Sequence, residues 1–154
     1  MAETDLDPIL IQVTIPLPIP MIFGALTEAR QLALWMCDAA EVEPRLGGPF
    51  ALHFPSETVP FDSDGEVTRI QPDLELGFTW VPPPPFDPSG APTPGRRSEV
   101  YWRLQESPEG IDITLEHAGF PDTEAGGESR SWHFRFWEER LRRLKEYLLK
   151  AAYG

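Results

Sequence analysis

Apolar positions along the chain follow first one period and then another, and each change of period marks an element. In residues 9–15, ILIQVTI, the side chains Ile9, Ile11, Val13 and Ile15 share one side while Leu10, Gln12 and Thr14 share the other. This alternation predicts a first strand with one buried face. Prolines at 16, 18 and 20 stop that strand, and Pro20 fits the first turn of a short helix through Leu26, where no backbone N–H is needed. Thr27 is expected to cap a second helix, with Glu28 favoured in its first turn by the helix dipole. In that helix, TEARQLALWMC, helical spacing turns Leu32, Trp35 and Met36 inward.

The pattern then becomes β, in short segments bounded by turn residues: AEVEPRL before Gly47-Gly48, PFALHF, GEVTRI after Asp64-Gly65, and DLELGFTWV. In the last of these Leu74, Leu76, Phe78 and Trp80 alternate, whereas Val67 and Ile70 are out of phase, which predicts a bulge or register change near Arg69. VPPPPFDPSGAPTPG carries seven of the chain's 18 prolines and is expected to form an elongated hairpin loop, since such a composition cannot pair in a sheet. Two further strands follow, with Val100, Trp102 and Leu104 set against Tyr101 and Arg103, then Ile111, Ile113 and Leu115 against Asp112, Thr114 and Glu116. Extending the second alternation carries His117 onto the apolar face. From Ser131 to Ala151 helical spacing returns: Phe134, Trp137, Leu141, Leu144, Leu148 and Ala151 form a stripe that Trp132 and Phe136 widen.

That order predicts an α+β domain spanning 1–154, an antiparallel sheet closed over one long C-terminal helix. The 154 residues are enough to bury about 70% of the unfolded surface in a single core. A net charge of −12 argues against nucleic acid as a partner. The one basic cluster, Arg140, Arg142, Arg143 and Lys145, alternates with Glu138, Glu139 and Glu146 and reads as a solvated helix face. Cys37 is the sole cysteine and reads as a small buried hydrophobe. The start MAETDLDP is acidic where a signal peptide would be basic, so a cytoplasmic location is expected, with no membrane partner because no apolar run approaches a bilayer span.

Several stretches carry a family resemblance: IPLPIPMIFGALTEARQLALWM, EPRLGGPFALHF, DGEVTRIQPDLELGFTW, LEHAGF and WEERLRRLKEYL. In their order and spacing they resemble the SRPBCC or START-like superfamily, and within it proteins similar to the C-terminal domain of the activator of heat-shock protein 90 ATPase. The resemblance implies a helix-grip (START/Bet v 1-like) fold and a cavity between sheet and helix. The sequence departs from the family pattern in its longer proline loop and at Phe136, where a glycine often precedes the family's tryptophan.

Catalytic signatures are missing. His53, His117 and His133 fall in three different elements, and neither HExxH, GxSxG, a P-loop nor GxGxxG occurs. No metal, cofactor or catalytic residue is therefore expected. Each lone histidine reads first as a satisfied or exposed residue; His117 is the best functional candidate, since its parity aims it at the cavity. The aromatic set is rich for a small domain, and most of it reads as core. What the resemblance adds is a pocket lined by Trp35, Phe50, Phe54, Phe78, Trp80, Trp102, His117, Phe120, Trp132 and Phe136, between the sheet, the C-terminal helix and the loops around Phe61, Phe86 and Phe120. The leading expectation is a non-enzymatic binder of a hydrophobic or aromatic small molecule. The alternatives are a co-chaperone-like domain with a protein partner, and an enzyme using the same cavity.

Overall fold

The computed structural model describes residues 5–86 and 98–154. The elements run β1 (Ile9–Ile15), α1 (Ile19–Thr27), α2 (Ala29–Trp35), β2 (Ala39–Val42), β3 (Pro49–Phe54), β4 (Phe61–Gln71), β5 (Glu75–Trp80), β6 (Ser98–Ser107), β7 (Gly110–Ala118) and α3 (Glu124–Tyr153). The strands form one antiparallel sheet in the order β1-β7-β6-β5-β4-β3-β2, curved around α3 as the helix-grip fold requires. The core lies between the inner sheet face and α3, where Leu76, Phe78, Trp80, Val100, Ile113, Leu115, Trp137 and Leu144 are fully buried.

Pro18 precedes α1 and Pro20 sits in its first turn, as the spacing predicts. Thr27, however, does not cap α2. It is the last residue of α1, and its buried hydroxyl donates to the Phe23 carbonyl at 2.9 Å, the back-bond a helical threonine makes to the residue four before it. Glu28 takes the position between the helices instead, without a side-chain cap. Leu32, Trp35 and Met36 are buried as expected.

β4 begins at Phe61 and runs straight through Asp64-Gly65, where the sequence suggests a turn. The glycine serves a close approach: a Cβ at Gly65 would overlap the Thr79 carbonyl oxygen of β5. Around it side chains join the two strands, with Glu66 N–H donating to Thr79 Oγ1 at 3.0 Å and Val81 N–H to Ser63 Oγ at 2.9 Å. Beyond it β4 pairs with β5, and the register shifts between Val67 and Arg69, where the phase break predicts it. Leu74 does not belong to the β5 alternation; it is 46% exposed, in the turn that Asp73 makes at φ 66°, so the inward series begins at Leu76.

α3 starts seven residues before the expected Ser131. Thr123 caps it by accepting from Gly126 N–H at 2.9 Å, and Gly126 lets the first turn press on Pro121, whose carbonyl oxygen a Cβ there would overlap. Its buried face is Gly126, Ser129, His133, Phe136, Trp137, Arg140, Leu141, Leu144 and Leu148. Phe134 is only half-buried and Ala151 is exposed, so neither belongs to the inner stripe. Arg140, expected on a solvated face, is buried at 3% exposure because it lies three residues from Trp137 and four from both Phe136 and Leu144. The proline-rich segment from residue 87 to 95 lies outside the described residues. No helix among the described residues is long and apolar enough to cross a membrane.

Candidate functional site

Strand parity on β7 and helical spacing on α3 bring two histidines to one place. The rings of His117 and His133 stand edge to face, their centroids 5.1 Å apart. Each accepts an indole N–H: Trp80 Nε1 donates to His133 Nε2 at 3.0 Å, and Trp137 Nε1 donates to His117 Nδ1 at 2.9 Å. The other nitrogen of each ring must then carry the proton. His133 Nδ1 donates to the Ser129 carbonyl at 2.7 Å, and His117 Nε2 to Ser98 Oγ at 3.0 Å; the Ser98 hydroxyl passes on to the Trp80 carbonyl at 3.2 Å. The two imidazoles are thus neutral and opposite tautomers. Burial is the main cause, lowering the His133 pKa to about 4 and His117 well below its ordinary value, with neighbouring His133 adding to the latter.

Parity alone finds His117. His133 escapes sequence reading because a single polar residue inside an aromatic helical stripe looks like an interruption. Its signal is the spacing, four residues after Ser129 and four before Trp137, on the face that continues through Arg140.

Rings surround the pair. Phe120 lies 4.7 Å from His117, and Trp132 lies 4.8 Å from His133. Phe54 stacks on Phe61 at 4.4 Å and Trp132 on Phe136 at 5.1 Å, and the two stacks meet edge to face at 5.7–6.4 Å. Trp132 is half-buried at the outer end of this cluster, and half-buried Phe86 reaches over it, 6.4 Å from both Trp132 and His133. Trp35, Trp102 and Trp137 continue the rings edge to face into the deep core, at 6.3 and 6.1 Å. Phe50 and Phe78 form their own stack at 3.9 Å. The sequence-predicted residues are therefore brought into two zones, an outer one at Phe54, Trp80, His117, Phe120, Trp132 and Phe136, and a deep one at Trp35, Phe50, Phe78 and Trp102.

At one edge of the outer zone the Arg140 guanidinium lies 4.3 Å from the Phe136 ring centroid and 5.7 Å from that of Phe54. Its Nε donates to the Met36 carbonyl at 2.8 Å, and its other nitrogens face Glu57 at 3.2 Å and Glu139 at 3.6 Å. Burial, then nearby Arg143, lowers its pKa from the ordinary arginine value, while the two carboxylates act in the opposite direction. Cys37 is close by and is half-buried rather than fully buried as expected; burial pushes its thiol up to about 11, which keeps it protonated at neutral pH. His53 belongs to neither zone; it pairs with Asp62 at 2.8 Å, and that hydrogen bond raises its pKa. Among the described residues no three His, Cys, Asp or Glu side chains converge as a metal site would require.

The family model for "Activator of Hsp90 ATPase homolog 1-like protein" matches residues 16–149. No curated protein matches the chain. Solved structures do: protein MLL2253 from Mesorhizobium loti superposes with a TM-score of 0.75 at 21% identity, covering 93% of this chain and 97% of that one. CalU16 from Micromonospora echinospora is 26% identical at a TM-score of 0.68, covering 92% of this chain and 75% of its own. An AHSA1-like protein from Aeromonas hydrophila is 19% identical at 0.71, with 94% of each chain covered.

Proposed function

The chain belongs to the Activator of Hsp90 ATPase homolog 1-like family, and we propose that it binds a flat apolar small molecule at the outer end of the ring cluster between α3 and the sheet. One observation carries this reading: Trp132 and Phe86 stand half-buried over rings that are otherwise closed to solvent. Aromatic side chains offer large contact area at little entropic cost and stack on flat ligands, so a surface-reaching edge of such a cluster is a place where a ring can be exchanged for a ligand. The polar groups beneath are satisfied by one another, which suits a ligand that brings surface rather than hydrogen bonds to that end. The deep zone supplies the rigid floor.

The test uses the protein's own indoles. A panel of flat apolar compounds is screened by tryptophan emission and thermal shift, and each hit is repeated with Trp132→Leu, which keeps an apolar side chain but removes the ring. A hit should raise the melting temperature and change the emission, and the variant should bind roughly tenfold more weakly, at the upper end of the ~0.5–1.5 kcal/mol an aromatic pair adds beyond its area. If no compound moves either signal, the reading fails and a protein partner becomes the better account of the domain.

A further inference from the structure

Arg140 is a buried cation whose nearest carboxylates sit loosely. Charge-assisted N–H···O contacts settle near about 2.7–2.9 Å, and the exposed pairs Arg143–Glu139 and Arg142–Glu146 reach 2.6 and 2.9 Å on the same helix. Arg140, at 3% exposure, meets Glu57 only at 3.2 Å and Glu139 at 3.6 Å, and Glu139 already holds Arg143. Its shortest polar contact, Nε–H to the Met36 carbonyl at 2.8 Å, is to a neutral group, so the carboxylates that offset its charge are its longer contacts. Glu57 itself is 29% exposed, on a loop of residues 55–60 whose other members are exposed.

The cation also continues the aromatic row. Trp132, Phe136 and Arg140 follow one another at four-residue spacing on α3, with Trp132 stacked on Phe136 and the guanidinium 4.3 Å from the centroid of the same ring. Eight residues of helix span about 12 Å. A half-buried ring therefore stands at one end of the row and a buried positive charge at the other, with the buried Phe136 ring between them.

We propose that Arg140 anchors an apolar monocarboxylate: the ligand's carboxylate replaces that of Glu57 on the guanidinium, and its aryl or alkyl body lies along Phe136 toward Trp132. This rests on the small-molecule reading above and names its ligand class. Glu57 is then a built-in stand-in that keeps the cation paired while the site is empty. Displaced, its carboxylate moves only from a partly exposed position into water, while the two hydrogen bonds of Ser56 to Asp38 keep the neighbouring backbone in place. The guanidinium fork suits this role, since it accepts a carboxylate edge-on while its face stays on the ring.

Binding of 2-naphthoate and of its neutral analogue 2-naphthylmethanol, measured by tryptophan emission on the full chain, tests the assignment. The wild type should bind the acid at least tenfold more tightly than the alcohol. Glu57→Gln removes the internal competitor's charge; it should tighten naphthoate binding severalfold and leave the alcohol unchanged, and naphthoate should raise its melting temperature more than that of the wild type. Arg140→Met, where it folds, should bind both compounds alike. Equal binding of acid and alcohol with no effect of Glu57→Gln overturns the anchor but leaves the small-molecule reading standing. If neither compound binds either protein, the anchor falls, and the small-molecule reading is decided by the wider panel.

Discussion

At the scale of single residues, the interior turns on where two protons sit. His117 and His133 each offer one bare ring nitrogen to an indole N–H, and a second proton on either ring would set donor against donor inside a dry core. The side chains around the pair, Trp80, Ser98, Phe120, Ser129, Trp132 and Trp137, carry no charge that would offset one. Both folded pKa values lie below the ordinary histidine value, so the unfolded chain takes up protons first. Their contribution to stability is complete above about pH 6.5 and declines as pH falls toward about 4, the folded value of His133. His53 acts with the opposite sign, its raised pKa favouring the folded state at lower pH, but its pairing with Asp62 is largely exposed and weak. Melting temperatures between pH 7.5 and 4 should therefore fall for the wild type and fall less for His133→Gln, which keeps an acceptor that does not titrate. Equal slopes would remove His133 from the acid response. Sequence alternation suffices for the inward aim of His117, because a strand's two faces are told apart by a single step. It does not disclose Trp137 as its partner, since that contact is set by how α3 is rotated over the sheet.

Elements were legible where their period was clean. β1, β6 and β7 show simple alternation, and the phase break in β4 is visible as Val67 and Ile70 falling out of step. Their boundaries were harder. Asp64-Gly65 has the chemistry of a turn and Gly126-Gly127 that of a helix breaker, yet Gly65 is demanded by the Thr79 carbonyl on the neighbouring strand and Gly126 by Pro121 just before α3, close approaches that the local pattern of apolar positions does not show. Arg140 was misplaced because the alternation of charges around it outweighed its spacing from Trp137 and Leu144. Two substitutions weigh these elements. Leu144→Ala opens a hole under α3 and should cost roughly 2–5 kcal/mol, seen as a lower denaturation midpoint with an unchanged slope. Thr123→Ala removes a cap and should cost about 1 kcal/mol; a loss as large as that of Leu144→Ala would mean that the first turn of α3 holds more than its cap.

For the molecule as a whole, the charge of −12 opposes any anionic ligand from a distance, while Arg140 attracts it at contact. Salt separates the two effects, because screening acts on exposed charges far more than on a buried one, and the Debye length shrinks from about 30 Å at 0.01 M to about 8 Å at 0.15 M. Naphthoate should accordingly bind more tightly as salt rises over that range, and the neutral alcohol should be indifferent; tighter binding at low salt would place the acid among exposed cations rather than at Arg140. The order of the strands has a consequence of another kind. Among the described strands β1 lies at one edge of the sheet, with β7 as its neighbour, and Thr14 bonds Asp112 across 98 positions of chain. During synthesis β1 emerges well before β7, so its pairing waits until the β6–β7 hairpin has followed. Closing a loop of that length costs chain entropy before the pairing repays it, which slows this step relative to the local hairpins. Until then the inward face of β1 stays open, the kind of transient apolar surface and unpaired edge that favours misassembly.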